Sequence, residues 1–179
     1  WIGTDSGIFK YDRRKNYLSQ FVPKIPGNQS TAYRITAITG NNEKQLFIGS
    51  SIGLLILTNE KSTAFYPCGS LEQDVLPGAH INQVYPYGIN EIWVCTDNGL
   101  ACIHEKTKKI TVFQHDEMKP FCITGNNVLA ISKGENDDLW VSTTNGLCLL
   151  DRKTGMFTDI SAPDENTLSS RLASCIAQD

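Results

Sequence analysis

Long apolar runs, helical periodicity and catalytic motifs are all missing from this sequence, and each absence narrows what the chain can be. No stretch approaches the roughly 20 apolar residues that a membrane span requires, and no basic segment followed by an apolar one marks a secretory signal. Positive charge is not in excess either. The 16 basic and 19 acidic residues leave a net charge of −3, so the electrostatic footprint of a nucleic-acid binder is absent. Without G-x-S-x-G, H-E-x-x-H or a phosphate-cradling glycine loop, neither catalysis nor a bound cofactor is expected. Cys68, Cys95, Cys102, Cys122, Cys148 and Cys175 include no C-x-x-C pair and no Cys/His cluster at zinc spacing, which argues against a metal site. They read as free thiols serving as small apolar side chains. An initiator methionine is lacking too: the chain opens on Trp1, which suggests a piece of a longer protein.

What is present is a repeat. WIGTDSG at 1–7 returns as FIGSSIG at 47–53, WVCTDNG at 93–99 and WVSTTNG at 140–146, so the leading aromatics Trp1, Phe47, Trp93 and Trp140 are spaced by 46, 46 and 47 residues. A fixed period in that range, filled with short β-branched and aromatic runs, is the signature of an all-β protein built from β-propeller blades. Each copy reads as a four-stranded antiparallel sheet. An apolar strand comes first (34–39, 80–85, 127–132, 171–176), followed by the aromatic phrase. A third strand leaves from Gly7, Gly53, Gly99 or Gly146, and a fourth closes the blade. Gly and Asn in the short reversals supply positive φ, and Asp12 and Asp151 start the next turns by accepting backbone hydrogen bonds. Each aromatic is expected to lie between neighbouring sheets beside the small residue two positions on, which is Gly3, Gly49, Cys95 or Ser142. Cys95 should face Leu100, not Cys102, so those two thiols should not be bonded.

The predicted boundaries are a partial blade at 1–21, blades at 33–66, 79–113 and 127–160, and the first strand of a further blade at 171–179. Four to eight blades make a propeller. The expectation is therefore a fragment of about four blades from a larger ring, with closure into a small four-bladed ring as the alternative.

The runs DLWVSTTNGL at 138–147 and WIGTDSGI at 1–8 resemble two-component regulator propeller repeats, and NTLSSRLASCIAQD at 166–179 is similar to that family's approach to its next repeat. The resemblance covers essentially the whole chain, with Phe47 in place of Trp and Cys95 and Ser142 in place of Gly as departures. It implies the periplasmic sensor region of hybrid two-component systems in Bacteroides-type bacteria, built of propellers of about seven blades. A membrane span outside this segment, a histidine kinase and a DNA-binding output would follow, with homodimerisation and an oligosaccharide as ligand.

Binding usually lives in loops on a rigid scaffold, and the long connections at 22–33, 67–79, 114–126 and 161–170 vary while the strands stay regular. Arg34, His80, Asn127 and Arg171 occupy one equivalent position at the entry to each innermost strand. They could ring a channel mouth that takes a sugar, with Tyr33 or Phe121 as an apolar platform; alternatively they cap strands and hydrate the channel. Acidic residues in the loops (Glu72, Asp74, Asp116, Glu117, Asp164, Glu165) read as solvated surface, although a pair could flank a sugar in a propeller lyase or glycosidase. A protein-interaction scaffold is a further alternative. Basic residues near the opposite turns, among them Lys108 and Arg152, read as exposed protection of strand edges.

Overall fold

A computed structural model describes residues 1–25, 33–41, 43–69 and 75–160. Its chain forms four sheets in succession. The first holds β1 (Ile2–Thr4), β2 (Gly7–Asp12) and β3 (Tyr17–Phe21). In the second are β4 (Ile35–Gly40), β5 (Gln45–Ser50), β6 (Gly53–Thr58), β7 (Lys61–Gly69) and β8 (Leu76–Pro77). The third comprises β9 (Ile81–Tyr87), β10 (Glu91–Thr96), β11 (Gly99–His104) and β12 (Ile110–Phe113). The fourth comprises β13 (Val128–Lys133), β14 (Leu139–Thr143), β15 (Gly146–Asp151) and β16 (Met156–Asp159). No helix occurs among the described residues. Within each sheet consecutive strands pair antiparallel, the arrangement of a β-propeller blade. One pairing departs from the four-stranded expectation: β8 adds in parallel to the outer edge of β7, making the second sheet five-stranded. The expected strand at 171–176 lies outside the described residues.

Period-2 alternation puts apolar side chains on both faces of the middle strands. On β10 and β11, Trp93, Cys95, Leu100 and Cys102 face the fourth sheet. Ile92, Val94, Ala101 and Ile103 face the second. The second sheet divides in the same way: Leu54 and Ile56 join the third, while Ile48, Leu55 and Leu57 pack with Ile8 of the first. The core is therefore a series of seams between sheets.

Phe47 and Trp93 are buried in those seams, and the Trp93 ring stacks on Phe113 with centroids 5.9 Å apart. Trp140 is half-buried, and Trp1, 39% exposed, meets Phe21 edge-to-face. The small residue two positions on serves a different neighbour from the one expected. A Cβ on Gly49 would lie 2.7 Å from Cγ2 of Ile81, and one on Gly3 would lie 2.5 Å from Cγ2 of Ile35. Small side chains here admit the innermost strand of the next sheet.

The recurring Ser or Thr before each tight turn forms a clip that the sequence reading overlooks. Thr96 Oγ1 donates to the Gly99 carbonyl at 2.8 Å and accepts from the Asn98 amide at 3.2 Å; Thr4, Ser50 and Thr143 repeat the pattern. Gly7, Gly53, Gly99 and Gly146 take the positive φ, and Asn98 and Asn145 do not. At Gly53 a Cβ would stand 2.2 Å from the Tyr66 carbonyl oxygen, so close approach as well as φ demands glycine. Asp12 and Asp151 accept backbone N–H bonds in their turns. Cys95 pairs with Leu100 and Trp93 with Cys102; the five described cysteines are free.

Candidate functional site

The hairpin face carries the positions that the repeat makes equivalent. Arg34, His80 and Asn127 each lie just before an innermost strand, and each offers its carbonyl to the amide that follows the hydroxyl clip: Ser51 to Arg34 at 3.0 Å, Asp97 to His80 at 3.1 Å, Thr144 to Asn127 at 3.0 Å. A bulge follows at the same place in each sheet, around Thr36, Asn82 and Leu129. Bulges re-aim side chains. That of Asn82 turns toward the fourth sheet, where its Nδ2 donates to the Val128 carbonyl at 2.7 Å and to Asn127 Oδ1 at 3.1 Å.

The side chains expected to bind are not all free to do so. Arg34 is exposed and pairs with Asp5 at 3.1 Å, a surface contact of the sort that contributes little and yields readily to a ligand. His80 is exposed and Asn127 half-buried. Tyr33 is a correction: it is 6% exposed, sits in the seam between the first and second sheets, and its hydroxyl is pushed up to about 12 by burial. It cannot serve as an open platform, because its ring fills core. Phe121 is exposed with φ of 59°, but it lies by Phe113 and Phe157 against the third and fourth sheets, apart from the strand entries. Arg171 lies outside the described residues.

Between the second and third sheets a cleft of about 890 Å³ opens among Ser51, Cys68, Pro77, Asp97, Asn98 and Gln114. Asp97 Oδ1 organises its wall, accepting from the amides of Ala79 at 2.9 Å and His80 at 3.1 Å. Gly78, with φ of 80°, is required there because a Cβ would fall 2.0 Å from that oxygen. Gln114 Nε2 donates to the Asn98 carbonyl at 2.8 Å. Burial, then the nearby Asp97 charge, raises the Cys68 thiol to about 11, so it is a neutral lining group. Of the loop at 67–79, singled out from its variability, the described residues Cys68, Gly69, Val75 and Pro77 to Ala79 line this cleft, and 70–74 lie outside the described residues. The organising Asp97 was hidden because it reads as an ordinary turn residue.

The opposite rim corrects the reading of Arg152 as an exposed edge guard. Its side chain is only 14% exposed, with Nη2 donating to Glu91 Oε2 at 2.7 Å and Nη1 to Asp137 Oδ2 at 2.5 Å. Tyr87 donates its hydroxyl to Asp137. Lys108 is exposed, as expected. Beneath this network Glu91, Cys102 and His104 bring one carboxylate oxygen, the thiol and an imidazole nitrogen within 4.8 Å of one another. Among the described residues this is the only cluster with a metal-ligand composition.

Antiparallel sheets that follow one another along the chain and pack face to face through apolar seams define the class: the chain is made of β-propeller blades. Its likenesses include extracellular domains of two-component systems. An extracellular domain attributed to hybrid two component system BT3049 of B. thetaiotaomicron superposes with a TM-score of 0.66 and 25% identity over 77% of this chain. That of BT4673 from the same organism gives 0.68 and 22% over 95%. The chain spans only about a fifth of those solved domains, 20% and 21%. Virginiamycin B lyase from Staphylococcus aureus shares the fold at a TM-score of 0.59 and 18% identity, over 90% of this chain and 50% of that one. No sequence profile of a protein family matches the chain, and neither does any curated protein.

Proposed function

We propose that these sheets form part of the extracytoplasmic ligand-sensing propeller of a hybrid two-component sensor histidine kinase. The observation that carries the reading is the shared architecture and 25% identity with the BT3049 extracellular domain. No helix among the described residues is long and apolar enough to cross a membrane, so the reading assigns the span to another segment. The ligand is an oligosaccharide held on the hairpin face, where Asp97 and Gln114 offer acceptor and donor atoms and Arg34, His80 and Asn127 present polar groups at the strand entries. Such a ligand signals by favouring one of two packings of propellers in a receptor homodimer, since only differential affinity shifts an equilibrium. Neighbouring blades of the parent chain are the remaining partners.

Calorimetric titration of the full-length protein carrying these sheets with an oligosaccharide panel tests this. Arg34→Ala and His80→Ala should each weaken binding by about 1–3 kcal/mol, the scale of a hydrogen bond to a charged or polar group, with the melting temperature unchanged. Unaltered affinity in both would remove the hairpin face as the site. Chromatography of the same mixtures should recover intact sugar; shortened products would replace the sensor with an enzyme.

A further inference from the structure

The geometry points to a binding site for a zinc-type divalent cation formed by Glu91, Cys102 and His104, a function independent of ligand sensing. Antiparallel pairing of β10 with β11 sets Glu91 directly opposite His104, and Cys102 lies two residues before His104 on the same face. The three ligand atoms lie within 4.8 Å of one another. Tetrahedral coordination at ordinary zinc distances separates ligand atoms by about 3.3–3.6 Å, a contraction that side-chain rotation supplies.

Several observations mark this as a built site. Cys102 is 1% exposed, and neither its sulfur nor the His104 ring has a hydrogen-bond partner among the described residues. The other groups around it are committed. Glu91 Oε2 accepts from Arg152 at 2.7 Å and from Trp93 Nε1 at 3.3 Å, which orients the carboxylate and leaves Oε1 unbonded, as an outer shell does around a metal ligand. The thiol proton passes to solvent as the metal–sulfur bond forms.

The ligand chemistry selects the ion. One thiolate, one imidazole and one carboxylate suit zinc and its cobalt surrogate and disfavour calcium or magnesium, which take oxygen shells. Three protein ligands leave a fourth position for water, and half-buried His104 at the rim gives the ion its way in. The spacing of Cys102 and His104 carries no zinc motif because the third ligand comes from the neighbouring strand.

Anaerobic titration of cobalt(II) into the reduced 179-residue chain reads the site directly. A thiolate-to-cobalt charge-transfer band should rise to saturation at a single equivalent and vanish when zinc is added. Cys102→Ser should abolish the band, Cys148→Ser should keep it, and His104→Gln should weaken cobalt binding at least tenfold. Zinc should raise the melting temperature of the parent chain and leave that of His104→Gln unchanged. No band at excess cobalt overturns the site, and so does a band of undiminished affinity in His104→Gln, a half-buried position whose replacement decides the matter even if Cys102→Ser fails to fold.

Discussion

The guanidinium of Arg152, in the turn after β15, lies over the ring of Tyr87 at 4.0 Å from its centre and so fastens the fourth sheet to the end of β9 in the third. With Glu91 and Asp137 on its other sides, this arginine joins two blades through a cation–π contact and two charged hydrogen bonds. Arg152→Ala should lower unfolding free energy by about 2–3 kcal/mol in urea titration. Arg152→Lys should recover less than half of that loss, since a lysine cannot bridge two carboxylates with a planar fork.

The hydroxyl clip at Thr96 is fully buried. Thr96→Val keeps the shape but leaves the Asn98 amide and the Gly99 carbonyl without their partner, at a cost of about 1–3 kcal/mol. Thr96→Ser should restore most of the midpoint in the same denaturation experiment.

Gly49 and Ile81 form a steric pair across the seam between the second and third sheets. Gly49→Ala should destabilise by about 1–3 kcal/mol through overpacking. In an Ile81→Ala background the added cost should shrink, and a double-mutant cycle should give a coupling of at least about 0.5 kcal/mol.

Asp151 should make stability fall in acid. Amide donation from Lys153, seconded by Thr154, holds its carboxyl below the usual range, against a weaker opposing effect of desolvation. A group depressed in the folded state contributes stability above its unfolded value, about 4, and loses it as pH falls through the folded value. The melting temperature of the parent chain should therefore drop more steeply below about pH 4 than that of Asp151→Asn.

Much of this architecture is readable from residues alone, because the spacing of the aromatics and the [Ser/Thr]-x-x-Gly phrase reports the blade, the register of its central hairpin and the equivalence of Arg34, His80 and Asn127. What escapes depends on contacts between repeats. The parallel addition of β8 has no local signature in Leu76–Pro77. Arg152 looks like any edge cation until the fold brings Glu91, sixty-one positions away, against it. Tyr33 stands beside an exposed arginine in sequence, yet its ring turns inward. The trio of Glu91, Cys102 and His104 becomes visible only once the pairing of β10 with β11 is known.

Every pair of strands in substantial contact belongs either to one sheet or to sheets that follow each other along the chain. Stability in such an array is a sum of unit terms and nearest-neighbour couplings. A disturbance at Gly49 must cross the third sheet before it reaches Arg152, losing amplitude at each junction. The array should accordingly come apart in steps, and slow hydrogen exchange should be deepest at Val94 and Leu100, which are fully buried in the seams on the two faces of the third sheet, and shallower along the largely exposed strand β3.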